Sequence, residues 1–575
     1  MQTASIQQSP VHRPNLPFLI FICITSALGG LLWGFDAIVI SGTISPVREQ
    51  FALTPLWEGF FVSSGLFGAV IGSGLAGWLG DRFGRSRNLV LAAILLWISA
   101  LGSAFAPNIE LLVFARWIGG LGVGISAMIC PLYISEISPA HLRGRLVTTF
   151  QFAITMGIMI ALFSNLGISR WAESLSNKVA VGGFTEWFVV KETWRTMFAT
   201  ELLPGIFFLA LAFLLPESPR WLVKAGREGE ARRVLQRIFR DGADDEFTAI
   251  RDTIAAESAS RKRFIDLLDP RYRKMLLIAM LLSAFAQLSG INVVFYYGTS
   301  LLEDAGFRSD GALSSMAVIG FFNMMFTIIA MKWVDKLGRR LLLQIGTIGA
   351  ILCLVGIGLS FNGGASSLLI ILMCAFVAFF AFSLGPIKFI FASEIFPTNI
   401  RSHAMSVVIL TMWAVDTIVA QYTPSLREAV GPAFTFFLFA GILVPQIFMV
   451  WKFMPETAGR SLEDIERDVL LLPKINRPTA IGTIVIKPHR ATLILVFGIL
   501  GIVTCVPLGI AAWIMGNADL KEMDAGIMDA SGRGNTNAGR ICGIVATALF
   551  IIYIIVAVIM AVLYGMSANG VIPLR

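Results

Sequence analysis

Apolar stretches of about twenty residues, divided by short charged segments, fill almost the whole chain. They fall at roughly 17–40, 57–79, 88–106, 110–133, 147–168, 193–215, 274–301, 312–334, 341–360, 366–392, 403–424, 432–454, 491–515 and 541–566. A helix rises about 1.5 Å per residue and a bilayer core is about 30 Å thick, so each stretch can cross as a helix. The predicted class is an all-α membrane protein with about fourteen spans.

The polar segments between the stretches come in pairs, about 250 residues apart. GDRFGRSR from Gly80 is answered by VDKLGRR from Val334, and SEISPAHLR from Ser135 by SEIFPTNIR from Ser393. PESPRW from Pro216 is answered by PETAGR from Pro455. One unit of about 240 residues is used twice, a parallel repeat of the kind transporters are built from. The expected organisation is a tail 1–16, a first six-helix bundle 17–216, a polar helical linker 217–273, a second bundle 274–455, a connector 456–490 and an added two-span module 491–575. The linker is too charged to cross; its helical spacing fits either a solvated link or a gating element. The last module has no counterpart in the repeat.

Composition agrees with the pattern: 56% of the 575 residues are hydrophobic and only 14% are charged, more apolar surface than a soluble core absorbs. The net charge of +8 matters through its distribution. About 33 of the 45 Lys and Arg fall on one side of the predicted topology, which places that side and both termini in the cytoplasm. The first apolar run lacks a basic leader and a cleavage site and is read as a retained span. Cys23, Cys130, Cys353, Cys374, Cys505 and Cys542 lie in or beside apolar runs with no CxxC pair and no His cluster, so neither disulfides nor a metal is expected. No nucleophile–base set or phosphate loop appears, which argues against an enzyme; no cofactor or nucleic-acid partner is expected.

GDRFGR with DKLGRR, PESPRWL, QLSGINVVFYYG from Gln287, SEIFPTNIR and PETAGRSLEDIE together resemble the sugar porters of the major facilitator superfamily, over about residues 15–470. The resemblance implies a six-plus-six helix fold, a plasma-membrane location (the inner membrane in a bacterium), and a monosaccharide carried by alternating access. It further implies a cytoplasmic charge network that latches the halves while the site faces outward. By motif this comprises Asp81, Arg85, Glu136, Arg143, Glu217 and Arg220 in half one, and Asp335, Arg339, Glu394, Arg401 and Glu456 in half two. Charges at span ends also serve as topology anchors.

Asp36 and Arg116 stand inside spans, where charges are rare and functional by default. Counted from Pro46 and Pro107, both sit about 14–15 Å deep, at one height. They are either a permanent clamp between spans 1 and 4 or a proton-coupling pair. The resemblance favours coupling, with Asp36 taking the proton and Arg116 releasing it. It also implies substrate contacts from Gln151, Gln287, Asn292, Tyr296, Tyr297, Asn323, Gly385, Phe389 and Trp413, amides and aromatics of the kind a polyhydroxyl ring needs. Gly290 and Gly385-Pro386 are places where spans 7 and 10 can break.

Three departures set the chain apart from the family. Ala286 stands where a second Gln is usual, and Phe389 where a Trp is usual. The third departure is ionic, Lys388 and Asp416, at depths that differ by roughly 9 Å, part of which a lysine stem can bridge. They form a structural ion pair, or Lys388 takes a sugar acid, or Asp416 takes a hydroxyl or a second proton. A proton-coupled sugar symporter is the leading expectation; a passive carrier, a polyol or sugar-acid carrier, and a non-transporting sensor are the alternatives.

Overall fold

The structure, a computed structural model, describes residues 14–139, 142–176, 178–179, 181–239, 241–260, 266–267, 269–363, 366–397, 400–457, 489–503, 506–525, 528–544 and 547. These fall into two units, one within Met1–Val334 and Leu342–Leu471, the other within Asp335–Leu341 and Leu472–Arg575.

In the first unit the predicted spans appear as helices. Spans 1 to 5 are Leu16–Val39, Pro55–Phe83, Arg85–Ala104, Ile109–Ile137 and Arg143–Leu175. Their starts carry ordinary helix signals. The Thr54 hydroxyl accepts from the Trp57 amide ahead of Pro55, and the Asn108 side chain accepts from the Leu111 amide. Span 6 is two pieces, Thr193–Ala199 and Leu202–Ala212. Span 7 is Pro270–Leu288, Ile291–Tyr296 and Gly298–Asp304, broken at Gly290, whose φ of 77° suits glycine. The expected break in span 7 is therefore present. Span 8 is Ser309–Leu337 and span 9 is Arg339–Gly363. Span 10 runs Ser366–Phe379, then a π-turn over Phe380–Leu384, then Gly385–Ile395. Its irregularity is that π-turn; Gly385 itself has helical angles, with φ −59°.

One helix, Arg401–Phe453, has 53 residues, about 80 Å by helical rise and far more than one crossing. It is broken at Gly431 (φ 81°, ψ 160°) just before Pro432, which makes it spans 11 and 12. The linker forms Pro219–Lys224, Glu228–Ile238 and Ala243–Ser260, helical as expected.

The repeat is visible in the backbone. Spans 2 and 3 are joined through Gly84 at φ 94°, and spans 8 and 9 through Gly338 at φ 82°. Span 4 ends before Ser138-Pro139 and span 10 before Phe396-Pro397.

Spans cannot attract one another hydrophobically inside lipid, so small residues let the backbones meet. A Cβ on Gly34 would overlap the Ile154 carbonyl, and one on Gly157 the Leu31 carbonyl, which locks span 1 to span 5. Gly120 and Gly124 lie equally close to the backbone of span 2, at Gly65 and Ala69.

In the second unit the single crossing expected over 491–515 is instead two helices, Ala491–Val503 and Val506–Asp524, packed side by side. Arg490 bonds Asp519 at 2.5 Å, tying the start of one to the end of the other. Hydropathy reads straight through the junction, but Pro507 at the second position of the later helix marks a start. The expected loop from Met515 to Arg540 is helical to Asp524 and again over 533–544. Most of the 541–566 stretch and of the 456–490 connector, with Cys505, lies outside the described residues.

Gly157→Ala is expected to lower stability by about 1–3 kcal/mol, because the added methyl must push apart two backbones. Gly77→Ala, with nothing within 4 Å of the new methyl, serves as the control and leaves the thermal unfolding midpoint in detergent unchanged.

Candidate functional site

Span 1 carries Asp36 and span 4 carries Arg116, each 3% exposed. One Arg116 Nη donates to the Asp36 carboxylate at 2.5 Å and to the Asp36 carbonyl at 3.1 Å. The equal depths inferred from the sequence therefore correspond to a direct contact. Gly65 borders the guanidinium: a Cβ there would stand 3.3 Å from Arg116 Nη2. The Phe198 ring centroid lies 5.6 Å from the guanidinium carbon, a cation–π distance.

Glu201 is a member of this cluster that the sequence motifs did not single out. It is 2% exposed at the break in span 6, within electrostatic reach of both Asp36 and Arg116. Its Oε1, the Arg116 Nε and the Ser99 hydroxyl are buried without hydrogen-bond partners among the described residues. An acid inside an apolar run was the available signal.

A partly open cavity reaches the pair; Trp33, Asp36 and Arg116 from half one line it together with Tyr296 and Trp413 from half two. Trp33 and Trp413 meet at a centroid distance of 5.2 Å. The Trp413 indole N–H is buried and unpartnered among the described residues.

Behind Tyr296 lies a polar cluster. One Asp416 oxygen accepts from Asn292 at 2.8 Å and from the Tyr296 hydroxyl at 3.2 Å, and Asn292 also donates to Gln287 at 3.2 Å. The other Asp416 oxygen is buried with no donor among the described residues. Lys388 is buried, its ammonium 5.1 Å from the Phe389 centroid and 6.0 Å from that of Phe380. The structural ion pair expected between Lys388 and Asp416 is not formed: the two are in electrostatic reach but not in contact. Asn292 and Tyr296, on the neighbouring span at the right depth, take the carboxylate instead.

Of the remaining expected substrate residues, Tyr297 donates to the Ala420 carbonyl at 2.7 Å and is fully buried, pinning span 7 to span 11. Asn323 is buried, Gly385 and Phe389 are half-buried after the π-turn, and Gln151 is exposed.

At the ends of the spans that carry the charged motifs, Arg85 is the centre of half one. Its guanidinium donates to Glu136 at 2.9 and 3.0 Å, to the Gly80 carbonyl at 2.7 Å and to Asp81 at 3.5 Å. Glu217 Oε1 accepts the amides of Arg85 at 2.7 Å, Ser86 at 3.2 Å and Ser218 at 2.8 Å. Burial outweighs these amides and keeps the Glu217 carboxyl above its ordinary pKa. Lys224 bridges to Asp81 at 3.2 Å. Arg143 is exposed and Arg220 half-buried. In half two, Glu394 accepts from the Thr457 hydroxyl at 2.6 Å, Glu456 accepts the Thr457 amide at 3.0 Å, and Arg401 donates to the Phe396 carbonyl at 3.2 Å. Arg339 heads span 9; the Asp335 side chain lies outside the described residues. Each of these hydrogen bonds joins residues of the same half.

Hydrogen bonds also join the halves at the opposite ends of the spans. Ser41 bonds Thr299 at 3.0 Å, Ser45 donates to Glu303 at 2.5 Å, and Ser63 donates to Gln421 at 2.6 Å. Gln421 in turn donates to the Leu56 carbonyl at 3.1 Å, and a Cβ on Gly59 would overlap the Gln421 carbonyl. These contacts were not legible in sequence, since uncharged Ser, Thr and Gln in apolar runs have many uses.

The family model for "Sugar (and other) transporter" matches residues 22–469. The arabinose-proton symporter of Bacillus subtilis is 36% identical over 462 residues, 80% of this chain and 97% of that protein. The D-xylose-proton symporter of Escherichia coli is 34% identical over 485 residues, 79% of this chain and 96% of that protein. A solved structure of the E. coli xylose transporter XylE, in a partially occluded inward open conformation, aligns at TM-score 0.65 and 31% identity. It covers 76% of this chain and 100% of that one. Residues after 469 lie beyond the family model.

Glu217→Ala is expected to cost about 1.5–3 kcal/mol, since a charged acceptor of three amides is lost. Glu217→Gln, which keeps a carbonyl acceptor, should recover most of it; thermal unfolding midpoints of the two purified variants decide.

Proposed function

This chain belongs to the sugar transporter family of the major facilitator superfamily, and from that footing we propose that it carries a monosaccharide across the membrane in symport with a proton. The observation that carries the reading is the shared cavity: the buried Asp36–Arg116 pair of half one and Tyr296 and Trp413 of half two line one space. A transporter that couples two cargoes needs each to alter the other's binding, and a common cavity provides that directly.

Asp36 is the proton acceptor. Among the described residues its carboxylate is held by Arg116 alone, so a proton on Asp36 removes the attraction and frees the guanidinium for Glu201 or for the cavity. Separating a buried pair without neutralising it costs on the order of 3–5 kcal/mol, so the proton decides whether the pair opens. The sugar is bound by Trp413, Gln287, Asn292, Tyr296 and Asp416, with Trp33 covering a ring face. Binding between the halves favours closure, and the gate at Ser41–Thr299 and Ser63–Gln421 alternates with the charge networks at the other end. The excess of Lys and Arg supports a cytoplasmic position for the Arg85 network and both termini, in the plasma membrane. The closed Ser63–Gln421 gate then marks a conformation facing the cytoplasm.

In proteoliposomes with an inward proton gradient, Asp36→Asn is expected to lose concentrative uptake while keeping sugar exchange at equal concentrations on both sides. Full gradient-driven accumulation by Asp36→Asn would remove Asp36 from the coupling step. Alkalinisation of the medium on adding sugar separates symport from passive carriage.

A further inference from the structure

We propose that the sugar this protein carries is an acid, a uronate or aldonate whose carboxylate docks on Lys388 while its hydroxyls donate to Asp416. The inference rests on the sugar-transport reading above and names the substrate class of the same site.

Lys388 is 6% exposed, and among the described residues Asp416 is within its electrostatic reach without an ion-pair contact. Its ammonium lies against the rings of Phe389 and Phe380, which stabilise a cation but offer its three N–H donors no hydrogen-bond acceptor. It follows Gly385 by three residues and precedes Phe389 by one, so it stands beside the positions at which span 10 is expected to meet the sugar. A buried cation held without a counter-ion is costly unless a ligand supplies one.

Asp416 provides the complement. Both of its protein partners, Asn292 and Tyr296, donate to the same oxygen. The second oxygen is buried and open to a donor, and the Trp413 indole N–H is buried and open to an acceptor. Had Lys388 and Asp416 met, they would have neutralised each other and left no charge for a ligand. Held apart, they match a molecule with an anionic end and hydroxyl donors elsewhere. A neutral sugar satisfies Asp416 but leaves the ammonium with hydroxyl acceptors only; a carboxylate forms the stronger charge-assisted bond.

Charge balance supplies a second readout. One proton carried with a monoanionic sugar acid moves no net charge, whereas one proton carried with a neutral sugar moves one positive charge inward.

The test is uptake by the full chain in proteoliposomes under an inward proton gradient, with potassium and valinomycin setting the membrane potential. Labelled glucuronate, galacturonate and gluconate are compared with xylose, arabinose and glucose. At least one acid is expected to exceed every neutral sugar in kcat/KM by about tenfold or more, at a rate that an inside-negative potential leaves unchanged. Lys388→Met should lower the acid-to-neutral ratio of kcat/KM by about tenfold or more, while Lys388→Arg, which keeps the charge, retains most of it. A purely structural lysine would depress acids and neutral sugars alike and leave that ratio unmoved, which would overturn the assignment. Proton-driven uptake of neutral sugars with no acid carried or competing would overturn the inference and leave the symport reading standing. If neither acids nor neutral sugars moved under any gradient, the symport reading itself would fall.

Discussion

The contact between Asp36 and Arg116 is the interaction on which the rest of this structure depends. Two opposite charges buried at one depth in lipid have no partner in their surroundings, so the spans that carry them must be held in register. The glycine-lined approaches of span 1 to span 5 and of span 2 to span 4 bring those helices to backbone contact, and Gly65 leaves the guanidinium its space. Glu201, at the break in span 6, adds a second carboxylate within reach of the same cation. One arginine between two acids has two possible partners, an arrangement that a change of protonation can switch.

Half two is organised on different chemistry. Its polar cluster is built on hydrogen bonds among Asn292, Tyr296, Gln287 and Asp416 rather than on a contact ion pair, and its lysine stands apart. The break at Gly290 aims Asn292 and Tyr296 at span 11, and the π-turn before Gly385 interrupts span 10 at the corresponding place. The repeat thus has one scaffold with two fillings: a charge pair in the first half and a donor–acceptor network in the second. The cavity lies where they face each other.

The two ends of the spans are closed by unlike means. Charged networks centred on Arg85 and on Glu394 tie together helices of the same half, so each half has a rigid base. The opposite end is joined across the halves by a few neutral hydrogen bonds and a close glycine approach. Neutral contacts of this kind contribute about 0.5–1.5 kcal/mol each, small enough to break and re-form in a transport cycle.

Hydropathy by itself determined the twelve-span core and the linker helices, because each depends only on residues near one another in the chain. Counting residues from span ends also determined that Asp36 and Arg116 share a height. It failed for Lys388 and Asp416, since depth along a helix says nothing of which way a side chain points or which third residue competes for it; Asn292 and Tyr296 won that competition. It failed again over 491–515, where an apolar run is long enough to cross yet folds back on itself. Glu201 beside the ion pair, the Tyr297 tie to Ala420 and the Ser63–Gln421 gate were decided by tertiary structure alone. Each joins residues from spans far apart in sequence, and only packing sets the rotation of one helix against another.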